Sequence, residues 1–88
     1  MNKIGVYVLK SLKNSSYYVG SSKNVDHRLI EHNAGLVKST KGLRPWQLIM
    51  FYPLLDIKEA RRLEYRIKRL KSRKIIEKII KSGCISLR

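Results

Sequence analysis

Acidic residues are scarce: six Asp and Glu stand against twenty Lys and Arg in 88 residues, a formal net charge of +14. Too few carboxylates are present to neutralise the cations internally, so the isolated chain repels itself and the composition calls for a polyanionic partner. Nucleic acid fits better than an anionic membrane, because no strongly amphipathic terminal helix or lipidation signal is present. Cysteine is nearly absent. Cys84 alone excludes an intramolecular disulfide and a multi-cysteine zinc site, and suits a reducing compartment; it is expected to act as a small buried or half-buried apolar residue. Long apolar runs are missing too. No stretch reaches the roughly 18 consecutive apolar residues of a membrane span, and "MNKIGVYVLKSLKN" lacks the cleavage site of a signal peptide. A soluble, cytoplasmic protein without membrane contacts is expected. No repeat, linker or low-complexity segment interrupts the chain, and the 43% hydrophobic content suffices for one core, so residues 1–88 are read as a single domain.

Hydrophobic residues are distributed as short strands and amphipathic helices. In residues 3–10, Ile4, Val6 and Val8 alternate with Gly5, Tyr7 and Leu9, the period of a half-buried strand. Residues 16–21 form a second strand, and "SLKNSS" between the two supplies turn formers, which predicts an antiparallel hairpin carrying Tyr7 and Tyr18 on adjacent strands. Asn24 can cap a helix running to about Asn33, with Gly35 placed to end it. The basic loop "KSTKGLRP" leads into "WQLIMFYP", a buried strand closed by Pro53. Asp56 and Glu59 form a capping box for a helix near 57–71, and Ser72 caps a third that ends about Ser82 before Gly83. The order is ββαβαα, an α/β (α+β) domain in which Ile75, Ile76, Ile79 and Ile80 are read as core.

Several residue pairs carry chemistry at helical spacing. Arg28 and His32 lie one turn apart on the first helix, a guanidinium able to hold two phosphate oxygens beside an imidazole able to move a proton near neutral pH. On the second helix Ala60, Leu63, Ile67 and Leu70 make an inward stripe. Glu64 falls at its edge, a partly desolvated carboxylate suited either to a divalent cation or to an ion pair with Arg61 or Lys68. Lys23, Lys38, Lys41 and Arg44 are candidate phosphate contacts. The bases from Arg61 to Lys74 read as a solvated face.

Taken in order, these residues resemble the GIY-YIG nuclease family. "GVY" (Gly5, Val6, Tyr7) matches its first motif and "YVG" (Tyr18, Val19, Gly20) its second. "SSKNVDHRLIEHNAG" follows with Arg28 and His32, then "RPWQLIMF" and "EARRLEYRIKRLK" with Glu64. The resemblance covers almost the whole chain. It implies a three-stranded antiparallel sheet flanked by helices and metal-dependent hydrolysis of DNA phosphodiesters, with branched or damaged DNA as candidate substrates in repair or processing. It implies that Tyr7 or Tyr18 activates or orients the attacking water, that Arg28 binds the scissile phosphate, that His32 assists Tyr7, and that Glu64 holds one Mg²⁺ or Mn²⁺. A tyrosine has an ordinary pKa near ~10, so this role calls for a positive environment that stabilises the phenolate. Two departures stand out: Ser39 precedes Thr40 where the family commonly has tyrosine, and no asparagine follows Asn33, whereas many members carry one near the C-terminus. The competing expectations are a nucleic-acid-binding module that keeps the fold without cleavage, and a basic structural protein of a ribonucleoprotein.

The charge generates a test. DNA affinity is expected to fall linearly in a plot of log affinity against log salt, with a slope of about −0.9 per phosphate contacted. Fluorescence anisotropy over a salt series measures it, and a flat response would refute the electrostatic argument.

Overall fold

The computed structural model describes residues 2–85. Its elements are β1 (Gly5–Ser11), β2 (Tyr17–Ser22), α1 (Val25–Asn33), a 3₁₀ turn (Lys41–Leu43), β3 (Trp46–Pro53), α2 (Ile57–Leu70) and α3 (Arg73–Ser82). The predicted order ββαβαα is therefore observed. Both pairings are antiparallel and the sheet order is β2-β1-β3, which makes β1 the central strand.

That central position corrects the reading of β1 as half-buried. Val6 and Val8 pack on one face and Tyr7 and Leu9 on the other, all at most 2% exposed. Alternation within β1 separates two cores rather than core from solvent. Val6 and Val8 meet Val19, Met50, Ala60, Ile67 and Ile79 under α2 and α3. Tyr7 and Leu9 meet Val25 and Trp46, with Leu48 and Phe51 packed beside them, under α1 and the loop that follows it.

A bulge in β3 makes the second core possible. Val8 pairs with Met50 but Leu9 pairs with Leu48, so the register slips by one residue at Ile49. Since side chains alternate between faces, that extra residue keeps Leu48 and Trp46 on the same side as Phe51. The slip leaves no mark in the apolar run "WQLIMFYP".

Helix starts follow the predicted caps: Asn24, Asp56 and Ser72 each accept from the backbone N–H three residues on. Gly35 takes φ +80° just past α1, the left-handed conformation that its position suggested. Two expectations need correction at the ends. Leu70 is 45% exposed, so the inward stripe of α2 stops at Ile67, because Lys71 adopts φ 46° and turns the chain into α3. Cys84 is exposed rather than buried, since α3 has already ended at Gly83. Among the described residues no helix is long and apolar enough to cross a membrane.

Asn33 ties α1 to β3. Its Nδ2 donates to the Trp46 carbonyl at 3.0 Å and its Oδ1 accepts from the Trp46 N–H at 2.6 Å. Both backbone groups lose their partner in Asn33→Ala, which is expected to cost about 1–2 kcal/mol of stability. Urea unfolding checks it, and Asn33→Leu should fare no better.

Candidate active site

Tyr7 lies opposite Gly20 in the β1–β2 pairing, and its side chain runs across that glycine. A Cβ at Gly20 would stand 2.3 Å from the Tyr7 hydroxyl oxygen, closer than any real contact allows. The glycine of "YVG" is thus the space that the Tyr7 phenol occupies. At Gly5 the constraint is backbone: a Cβ would stand 2.1 Å from the Tyr52 carbonyl of β3.

The buried Tyr7 hydroxyl ends 2.8 Å from Nε2 of His32, which is itself fully buried. Nδ1 of His32 lies 2.7 Å from Oγ1 of Thr40, whose hydroxyl in turn reaches the Val37 carbonyl at 3.3 Å. These partners set the direction of the chain. Thr40 donates to the carbonyl and so accepts from Nδ1–H, which leaves Nε2 bare to accept from the Tyr7 O–H. Thr40 is held in turn by Trp46, whose indole N–H donates to the Thr40 carbonyl at 2.9 Å.

Burial, followed by the neighbouring Arg28 charge, lowers the His32 pKa from 6.5 to about 4. His32 is therefore a neutral imidazole near pH 7, a correction to the expectation that it exchanges protons there. Burial also raises the Tyr7 pKa to about 12, although a hydrogen bond from Arg28 pulls the other way. The protein's own cations thus do not produce the lowered tyrosine pKa that a resting phenolate needs. For Arg28, burial opposes the charge, but bonds to Tyr7 and Glu31 outweigh it and hold the pKa above the ordinary arginine value.

The remaining side chains converge over the edge of the sheet. Tyr18 packs edge-on against His32 and Trp46, with ring centroids 5.1 and 6.2 Å apart. Tyr18 and Gly20 share the α1 side of β2, while Ser21 points to the α2 side and its hydroxyl donates to Oε1 of Glu64. The other Glu64 oxygen accepts from the Lys68 ammonium at 2.6 Å, and that ammonium also sits 4.9 Å from the Tyr18 ring centroid. A cleft of about 410 Å³ results, lined by Tyr7, Tyr18, Gly20, Arg28, Glu64 and Lys68, with Ser21, Arg61 and Tyr65 completing its wall.

Four of the five residues singled out from the sequence, Tyr7, Tyr18, Arg28 and Glu64, line this cleft. His32 stands behind Tyr7 and Tyr18 and reaches the cleft only through them. Lys23, Lys38, Lys41 and Arg44 are not among the lining residues. Lys23 is exposed at the bend before α1, and Arg44 folds back so that its Nε donates to the Lys41 carbonyl at 2.9 Å. In the sequence, the spacing of three and four residues offers Arg61 or Lys68 as the partner of Glu64 and otherwise leaves both on a solvated face; Ser21 and Thr40 are not marked there as parts of the site.

Glu64 is the candidate ligand for a metal ion. Among the described residues no three His, Cys, Asp or Glu cluster, so an ion here depends on one carboxylate with water and substrate oxygens around it. The residues present fit such an ion in that the Glu64 carboxylate is part-exposed and faces a cleft with room for water and phosphate oxygens beside it.

The fold and this arrangement define a nuclease of the GIY-YIG type. The GIY-YIG catalytic domain family model matches residues 3–78, and the chain belongs to that family. A UPF0213 protein of Staphylococcus saprophyticus is 39% identical over 85 residues, covering 94% of this chain and 100% of that protein. The structure-specific endonuclease subunit SLX1 of Chaetomium globosum is 43% identical over 51 residues, which are 51% of this chain and 16% of that protein. The solution NMR structure of a UPF0213 protein from Bacillus halodurans matches with a TM-score of 0.56 and 35% identity, over 92% of this chain and 84% of that one.

The low His32 pKa implies acid sensitivity. The unfolded chain takes up a proton near pH 6.5 that the folded chain excludes until about 4, so the stability is intact above pH 6.5 and lost as pH falls through that window. The loss attributable to His32 is expected to be on the order of 2–3 kcal/mol by pH 4. Urea unfolding of the wild type and His32→Gln across this range measures it, and parallel pH curves would refute the assignment.

Proposed function

We propose that the protein is a divalent-metal-dependent DNA endonuclease that hydrolyses a phosphodiester seated in the cleft between β2 and α2. The observation that carries this reading is the convergence of two tyrosines, an arginine and a carboxylate on one cleft in a chain of net charge +14. In it, Arg28 grips the non-bridging oxygens of the scissile phosphate and opposes the charge that develops there. Tyr7 holds the attacking water, and Tyr18 closes the same wall. Lys23, Lys38, Lys41 and Arg44 meet flanking phosphates outside the cleft.

His32 acts as a positioning residue. Burial favours the protonated phenol at Tyr7 and the neutral imidazole at His32, so both groups resist moving the Tyr7 proton to His32 in the resting protein. His32 is therefore not the resting base, and its bare Nε2 aims the Tyr7 hydroxyl instead. Glu64 would hold one Mg²⁺ or Mn²⁺ in exchange for Lys68. When bound, such an ion supplies charge neutralisation at the phosphate and a more acidic water.

Branched DNA is the proposed substrate class, supported by likeness to a subunit named as a structure-specific endonuclease, and repair or processing of DNA is the proposed setting. A reducing, cytoplasmic compartment belongs to the same proposal, since it keeps the exposed Cys84 thiol unpaired. A second reading, a nucleic-acid-binding module without cleavage, is favoured by one observation: both oxygens of Glu64 are already engaged, by Ser21 and Lys68.

Glu64→Gln separates the two. For the nuclease, Mn²⁺ affinity and nicking of supercoiled plasmid are expected to collapse together while metal-free DNA binding holds or rises. For the binding module, the pair is an ordinary partly exposed ion pair, its loss costs about 0–1 kcal/mol, and no variant or wild type cuts DNA. Tyr7→Phe keeps the ring over Gly20 and is expected to lower cleavage on the order of 10²-fold with DNA affinity unchanged. Cleavage at the wild-type rate would move the water-holding role to Tyr18.

A further inference from the structure

A second groove opens beside the cleft and takes no part in the chemistry above. Its volume is about 410 Å³, and its walls are the exposed edge of β2 and the junction of α2 with α3. Tyr18 and Lys68 line both depressions, so the two adjoin. From there the groove runs over Tyr17, Lys71, Arg73 and Ile76, and no acidic side chain lines it.

The cations in it are organised around an aromatic ring. The Arg73 guanidinium lies 4.4 Å from the Tyr17 ring centroid, fixed by a 3.1 Å bond from its Nη1 to the Ser15 carbonyl, and Lys10 approaches the same ring at 5.9 Å. Arg73 also meets Glu77 at 3.6 Å and remains 53% exposed in its side chain. Lys71 stands at the groove in a left-handed conformation. Positive charge for phosphates thus alternates with a guanidinium and tyrosine stack and with the half-buried apolar side chain of Ile76, on which a base can lie. Base faces are hidden within a duplex, so only an unpaired strand can offer them. A volume near the lower end of the ~300–1,000 Å³ range of small-ligand sites holds about one nucleotide.

We infer that this groove binds an unpaired DNA strand adjoining the phosphate in the cleft, so that the protein engages junctions between duplex and single strand. The inference rests on the nuclease reading for the position of the scissile phosphate, but the groove's occupancy is independent of cleavage.

The test uses the full chain in EDTA and labelled DNA: a blunt duplex, and the same duplex with a short thymidine tail at its 5′ or its 3′ end. One tail polarity is expected to tighten binding about tenfold over the blunt duplex. Lys71→Asn keeps a residue that tolerates φ 46° and removes the charge. It and Tyr17→Leu are each expected to lose most of that increment while blunt-duplex affinity changes less than about twofold. Thermal melts identify any variant that unfolds, and Lys71→Asn, which is exposed, carries the test alone if Tyr17→Leu does. Absence of a tail effect in either polarity overturns the inference. So does an increment that survives in folded variants, or one lost in proportion to blunt-duplex binding. Glu64→Gln should retain the increment. A wild type that cuts no DNA yet shows it would refute the nuclease reading and leave the groove standing, whereas cleavage without it would refute the groove alone.

Discussion

A phenol hydroxyl buried at the centre of a sheet must find a hydrogen bond, and much of this molecule is arranged around the one that Tyr7 makes. Leaving such a group unpaired costs on the order of 1–3 kcal/mol, a large share of a small domain's stability. The acceptor is His32, itself buried and therefore neutral, and its second nitrogen needs its own partner, Thr40. Thr40 comes from the loop after α1, so the loop has to fold back over the sheet, where Trp46 and Asn33 hold it. One obligatory bond at Tyr7 thereby orders α1, the loop and the start of β3.

The same geometry explains a tension in the cleft. Burial drives Tyr7 towards the neutral phenol, and Arg28 only partly opposes it. The site is assembled around a protonated tyrosine, with its positive charge placed one side chain away on Arg28 and on the Lys68 paired to Glu64. Carboxylates are spent sparingly in this chain. Four of the six, Asp26, Glu31, Glu64 and Glu77, pair with a cation, and a fifth, Asp56, caps α2. Most lysines and arginines are left to the surface, and the two neighbouring depressions along β2 gather Arg28, Arg61, Lys68, Lys71 and Arg73, three of them shared with a carboxylate.

Element order, strand and helix types and caps were legible because each is a local matter. Side-chain period, an Asn or Asp before an apolar stripe, and a glycine after it act within a few residues. Tyr7, Tyr18, Arg28 and Glu64 were legible as a set because a recurring order of motifs marks them. The burial of both faces of β1 was not, since alternation looks the same whether the second face meets water or another core. The bulge at Ile49 was invisible for the same reason: an apolar run carries no register.

By itself the sequence determined a basic ββαβαα domain with Tyr7 and Tyr18 on adjacent strands of a hairpin; that Gly20 is the space for the Tyr7 ring emerged only when the strands were paired. Tertiary structure alone decided that His32 is buried and neutral, that Thr40 and Ser21 complete the polar contacts, and that Lys68 rather than Arg61 holds Glu64. Those outcomes depend on which residues distant in the chain share a dry volume. Burial shifts a pKa and chooses a hydrogen-bond partner only after packing has removed the water that would otherwise have satisfied either group.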